Sequence, residues 1–175
     1  MNKSFFFVAV AFFVSLCMSC NREPVEPDNP TNPGQFDTYA QIEEYCMENG
    51  WTEKYMTSGD CFEDEENCMS LCYINGTCTQ YSNYSSVQWI YNYKMFSSFS
   101  SLLSANNSPT AGYIESFTCD DMRFGICRFI HREFYGENGV VTDTVDHIGY
   151  AKFYVRKTEP NKIKLFYKKC NLPVE

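Results

Sequence analysis

Positive charge is scarce in this 175-residue chain: 14 Lys and Arg stand against 22 Asp and Glu, giving a formal net charge of -8 and a pI near 4.8. Phosphate binding needs clustered Lys and Arg, so an acidic surface argues against nucleic acid and against anionic membrane surfaces as partners. Histidine is rarer still, with His131 and His147 alone available as a base. The apolar run Phe5 to Leu16 has about twelve residues, too short for the roughly 20 that a spanning helix needs. G-x-G-x-x-G, the P-loop, H-E-x-x-H and G-x-S-x-G are all missing, and with them the familiar nucleotide, zinc-protease and serine-hydrolase signatures. No internal repeat is visible.

What the chain does have is ten cysteines, 30 aromatic residues (15 Phe, 13 Tyr, 2 Trp) and 44% apolar residues, enough for a sizeable core and incompatible with wholesale disorder. Its amino terminus reads as an export signal: Lys3, the apolar run, then Cys17-Met18-Ser19-Cys20. A small residue directly before a cysteine is the pattern of a bacterial lipoprotein signal, with residues 1–19 removed and Cys20 lipidated. Leu16 before Cys17 is not small, which makes Cys17 the poorer candidate. A plain secretory signal cut nearby is the alternative, and either reading puts the domain outside the cytoplasm. Asn21 to Gly34 holds four prolines in fourteen residues without apolar periodicity, so residues 20–36 read as an anchor and extended tether. Residues 37–175 remain as one globular domain. The expected location is the cell envelope, with the membrane reached through the Cys20 lipid only.

Export changes the meaning of the other eight cysteines, Cys46, Cys61, Cys68, Cys72, Cys78, Cys119, Cys127 and Cys170. An even number in an oxidising compartment suggests disulfides, whose pairing spacing cannot choose. Cys170, close to the terminus, could tie down the final strand. Cys68-x3-Cys72-x5-Cys78 lacks the paired C-x-x-C of a zinc ribbon, and the acids Asp60, Glu63, Asp64 and Glu66 lack the spacing of a calcium loop, so no metal and no cofactor is expected.

Along the domain, Asp37 to Gly50 reads as a helix with Tyr39, Ile42, Tyr45 and Cys46 on one face and Asn-Gly as its stop. Trp51 to Gly59 is a connection with strand character, and Cys61 to Asn67 an acidic loop or strand end. Met69 to Ile74 alternates as a strand before the turn Asn75-Gly76. Val87 to Tyr93 is rich in aromatic and branched residues, Ser97 to Pro109 reads as a loop, and Ile114 to Phe117 as a short helical turn. Gly125–Ile130, Tyr150–Arg156 and Lys162–Lys168 read as strands, the last two joined by a turn at Glu159-Pro160-Asn161. One helix followed by mostly antiparallel strands gives an α+β domain.

Several segments, in order, resemble the FKBP-type peptidyl-prolyl isomerase domain carried by lipoproteins of Bacteroidetes. Ile42 to Trp51 with Thr57-Ser58-Gly59 is similar to its helix and T-x-S-G lead-in, and Met69 to Tyr73 to its V-x-V-x-Y strand. Gly112 to Phe117 is similar to its G-W-x-E-x-L turn, Arg128 to Gly136 to the strand ending I-P-x-x-x-x-Y-G, and Tyr150 to Val155 to the closing L-V-F-D-V strand. The resemblance implies an N-terminal helix followed by an antiparallel sheet wrapped on a short helix, here stapled by disulfides. It also implies a pocket lined by Tyr73, Tyr84, Phe99, Tyr113, Tyr135 and Phe153. Such a pocket would lower the amide-rotation barrier by favouring the twisted X-Pro bond, with no nucleophile or metal. The chain departs from the family at five points: Tyr84-Ser85-Ser86 lacks the pocket acid, Thr110-Ala111 replaces an apolar wall, His131 stands where a proline is usual, the tail Lys162 to Cys170 extends beyond the usual last strand, and the eight cysteines are not a family feature. Two expectations therefore stand for its partners. One is the binding and isomerisation of proline-containing segments of exported proteins; the other is a non-catalytic binding lipoprotein or envelope-complex subunit. A cystatin-like helix on a sheet is the reserve fold.

Overall fold

The computed structural model describes Phe36, residues 38–80 and residues 89–173. The signal, the tether with Cys20, and Tyr84 lie outside the described residues.

The chain enters through α1 (Tyr39–Glu48), started by a capping box in which Thr38 Oγ1 accepts from the Gln41 N–H and the Gln41 side chain accepts from the Thr38 N–H. Ile42 and Cys46, one turn apart, are its buried residues, and the helix ends where Gly50 takes φ +68°. Five strands then build the larger sheet in the order β1 (Thr52–Thr57), β9 (Lys162–Cys170), β8 (Val140–Glu159), β7 (Met122–Glu137), β5 (Trp89–Phe96). Four shorter ones build a second sheet in the order β2 (Cys61–Asp64), β3 (Met69–Ile74), β4 (Thr77–Thr79), β6 (Ser116–Thr118). Every pairing is antiparallel.

Alternation along the large sheet sorts its side chains onto two faces. Cys127, Ala151, Phe153, Val155, Leu165 and Tyr167 form one core with Met69, Leu71 and Tyr73 of β3, so the small sheet covers this face. Intervening residues build the second core with the helices: Ile126, Phe124, Tyr154 and Phe166 pack with Ile42, Cys46, Trp51, and with Phe99 and Leu102 of α2 (Phe99–Ser104). Phe124, Tyr154 and Phe166 are in register across β7, β8 and β9, and their rings stack at 5.6 and 6.2 Å. Each such aromatic pair adds about 1 kcal/mol beyond the area it buries. Gly125 is required where it stands, because a Cβ there would lie 2.3 Å from the Phe153 ring that crosses β7.

This architecture corrects the α+β, FKBP-like expectation: the described residues are mostly β, with two stacked sheets and two helices among them, and no sheet among them wraps a short helix. The expected helical turn at Ile114–Phe117 is extended chain instead. Ile114 exchanges both backbone hydrogen bonds with Tyr93, at 2.8 and 2.9 Å, and Ser116–Thr118 adds to β4. An apolar pair three residues apart fits one turn of helix, but the open edge of β4 offers a ladder that a single turn cannot match. The expected Ser/Asn-rich loop in turn contains α2, started by a reciprocal Ser98–Ser101 capping box and fixed by burying Phe99 and Leu102. The acidic segment is a strand end and a turn, as read: Cys61–Asp64 pairs with β3 as β2, and residues 65–68 turn the chain into β3. α1 and the β3, β9 and Asn75-Gly76 readings agree with the structure, with Asn75 and Gly76 both at positive φ.

Candidate functional site at the foot of the hairpin arm

Strands β7 and β8 are far longer than the sequence pattern suggested, and the excess forms a free arm. Described pairing of β5 to β7 stops at Trp89↔His131, and pairing of β9 to β8 at Tyr150↔Cys170. Beyond these points β7 and β8 pair only with each other among the described residues, up to Glu137↔Val140, for about 20 Å at strand rise. Asn138 and Gly139, at φ +54° and +80°, close the arm as a two-residue turn with both positions left-handed. That Asn-Gly pair, flanked by Tyr135, Val140 and Val141, is the signal in the sequence that could have found the hairpin. Arg132 and Asp146 lie opposite each other and form a two-pronged bond at 2.7 and 2.8 Å; His147 Nε2 stands 3.5 Å from Glu133 Oε1. Phe134, Tyr135, Val140, Val141, Val145 and Ile148, six of the eleven exposed large apolar residues, sit on this one element.

At the foot of the arm, where β9 ends and the outer edge of β8 comes free, lies a cleft of about 580 Å³. Its walls are β8 from His147 to Tyr150, the tail from Lys169 to Pro173, and the turn carrying Glu65 and Cys68, with Phe129 on β7 behind them. The turn is set by Asp64, whose carboxylate accepts from the Asn67 N–H and Nδ2 and from Tyr167 Oη at 2.8 Å. It leaves Cys68 at φ +56°, with its sulfur lying directly over Gly149, where a Cβ would come within 2.4 Å of Sγ. Trp89, His131 and His147 follow one another in register across β5, β7 and β8, ring centroids 5.0 and 5.9 Å apart, and extend the aromatic surface from Phe129.

Burial raises the Cys68 thiol above its ordinary pKa against the partial relief of Lys169, and burial likewise raises Cys170. Both are held as neutral thiols, and a thiolate is what nucleophilic attack requires. No group of three or more His, Cys, Asp or Glu residues among the described residues could hold a metal ion.

Of the six aromatic positions implied by the FKBP resemblance, the five among the described residues are distributed over separate parts of the domain. Tyr73 and Phe153 share the core between the sheets, fully buried. Phe99 and Tyr113 belong to the core on the opposite face, Tyr113 under the Arg128 guanidinium at 3.9 Å. Tyr135 stands exposed on the arm, bonded to Glu133. Tyr84 is outside the described residues. Of the eight disulfide candidates, Cys61 and Cys72 are bonded, directly opposite each other on β2 and β3 with Cα atoms 4.0 Å apart. Cys46, Cys68, Cys78, Cys119, Cys127 and Cys170 are thiols, and burial pushes Cys46 and Cys127 up to about 12.

No known protein family, curated protein or solved structure matches this chain. Among the described residues no helix is long and apolar enough to cross a membrane.

Proposed function

We propose that this protein is a non-catalytic binding lipoprotein of the cell envelope that captures an extended segment of another envelope or exported polypeptide. The segment adds as a strand to the outer edge of β8. One observation carries this reading: from Val140 to Gly149 that edge has no partner strand among the described residues, and it runs directly into the cleft. Strand addition supplies affinity through main-chain hydrogen bonds, and a concave site beside the edge supplies selectivity through side chains. The exposed Val140, Val141, Val145 and Ile148 favour a segment with apolar residues, and the acidic chain as a whole favours one that is not acidic. Turnover is not part of this reading, because the fold on which the isomerase expectation rested is absent, and of its aromatic positions Tyr73 and Phe153 lie in one core, Phe99 and Tyr113 in the other, and Tyr135 on the exposed arm.

The test is selection of displayed dodecapeptides on the oxidised domain, with a variant in which Phe134–Thr144 is replaced by Asn-Gly as the comparison. Enriched peptides should be strand-forming and non-acidic, protect amides of Val141–Ile148 from exchange, and lose binding to the shortened variant at unchanged thermal stability. Peptides that bind both proteins equally would sink the proposal. An X-Pro isomerisation assay on the same domain, beside Tyr135→Ala, should show the uncatalysed rate for both; acceleration lost in the variant would restore the enzyme reading.

A further inference from the structure

The eight cysteines beyond the amino terminus are not equivalent in space. Cys46 sits in the helix-side core beside Glu43, Lys164 and Tyr154, whereas Cys78 and Cys119 both belong to the core on the inner face of the small sheet. The β4–β6 register sets Cys78 opposite Phe117, and the Cys119 N–H continues the ladder by donating to Gly76 O at 2.9 Å. Cys119 is therefore the diagonal neighbour of Cys78, and both point to the same side of the small sheet, into one core. Each thiol perturbs the ionisation of the other, Cys119 Sγ donates to the Asp121 carbonyl at 3.6 Å, and both residues are completely buried.

We infer that Cys78 and Cys119 form a second disulfide in the exported protein, closing the edge strand β6 onto β4. The bridge forms when each thiol loses its proton and the two sulfurs together give up two electrons. A protein disulfide of an envelope thiol oxidant accepts these and is released as a dithiol. Complete burial places the step during folding, before the three-residue edge strand closes. Together with Cys61–Cys72 it links all four strands of the small sheet covalently, because β3 and β4 are already one hairpin. Cys46 lies in the other core, on the opposite face of the large sheet from Cys78 and Cys119, so it does not compete for either and is expected as a thiol. Oxidation in the cell rests on the export reading; the pairing itself rests on the register alone.

The test uses the full mature chain from the envelope, alkylated with iodoacetamide in denaturant and digested unreduced with chymotrypsin, which cuts at Tyr73 and Phe117 and so isolates each cysteine. Mass spectrometry should find the Cys78 and Cys119 peptides joined and Cys46 alkylated. Both alkylated beside an intact Cys61–Cys72 bridge, or either joined to a different cysteine, overturns the inference. Reduced chain refolded in a glutathione redox buffer should form the same pair. If it does so while the envelope-derived chain carries no bridge at all, the pairing stands and the export reading falls.

Discussion

At the scale of single residues, two positions turn sequence into architecture by what they omit or accept. Gly125 allows the Phe153 ring to cross β7, and the same Cβ that would strike the ring would also stand 3.0 Å from the Lys94 carbonyl oxygen, which belongs to backbone and cannot swing away. Gly125→Ala should therefore cost about 1–3 kcal/mol, the ordinary penalty of overpacking, read as a lowered urea midpoint with unchanged slope. A midpoint within error of the parent would mean that the ring has room that this packing denies it. Asp64 acts by acceptance. Burial opposes its ionisation, yet hydrogen bonds from Asn67 and Tyr167 outweigh burial and hold its carboxyl below the usual carboxylate range. A folded pKa below the unfolded value of about 4 contributes stability that is fully present above that value and is lost as pH falls through the folded one. The parent should lose more stability than Asp64→Asn between pH 6 and pH 3 in urea titrations; parallel losses would show that the Cys68 turn is not held by this charge. Neither role was legible in the sequence, since both depend on residues brought together from distant segments: Phe153 for the glycine and Tyr167 for the acid.

At the scale of elements, legibility followed local self-sufficiency. α1 carries its own start, face and stop within about a dozen residues, and β3 with Asn75-Gly76 carries its own alternation and turn, so both were readable. β6 and the bridge at Ile114 exist because partners wait for them, and no local pattern announces a partner. The arm shows the intermediate case: Asn138-Gly139 is a strong turn signal, but residues 132–147 alternate poorly because neither of their faces is buried under a second layer. α1 itself is tied to the sheet by charge as well as by Ile42 and Cys46. Glu43, 12% exposed, bonds Arg156 Nε at 2.7 Å and Lys164 Nζ at 2.8 Å, whose side chains are 20% and 11% exposed. Removing the acid leaves two mostly buried cations, Lys164 paired with Glu53 alone and Arg156 with the Tyr39 ring. Glu43→Ala should destabilise the protein by about 3 kcal/mol, near the lower end for breaking a buried pair, whereas Arg156→Met should cost less because it leaves Glu43 still paired to Lys164. Equal and small losses, below about 1 kcal/mol in chemical denaturation, would mean that solvent screens the cluster and that apolar packing alone docks the helix.

At the scale of the whole molecule, two stacked sheets and a helical layer leave one feature that folding does not consume, the arm with its open strand edge. An exposed edge of this kind invites pairing with other chains, and a protein that keeps one either blunts it or uses it. This arm is blunted only in part, by Arg132, Glu133, Asp143 and Asp146, and it retains six exposed apolar side chains, so a free, diffusing protein of this shape would be at hazard of self-association. The proposed tether would change that balance: a lipid on Cys20 and a proline-rich spacer would confine the arm to a membrane surface, where capture of a partner confined there gains from local concentration. The anchor was readable only as a pattern of residue types, and its chemistry is checked directly. Trypsin cuts after Arg22, so the envelope-derived chain should yield the tripeptide Cys20-Asn21-Arg22 as its amino terminus, heavier than its composition by the mass of the acyl groups. The chain should enter the detergent phase of a Triton X-114 extract. An unmodified Cys20, or a mature terminus at another residue, would mean that the signal is simply secretory. The arm would then have to find its partner from solution, with no help from the membrane.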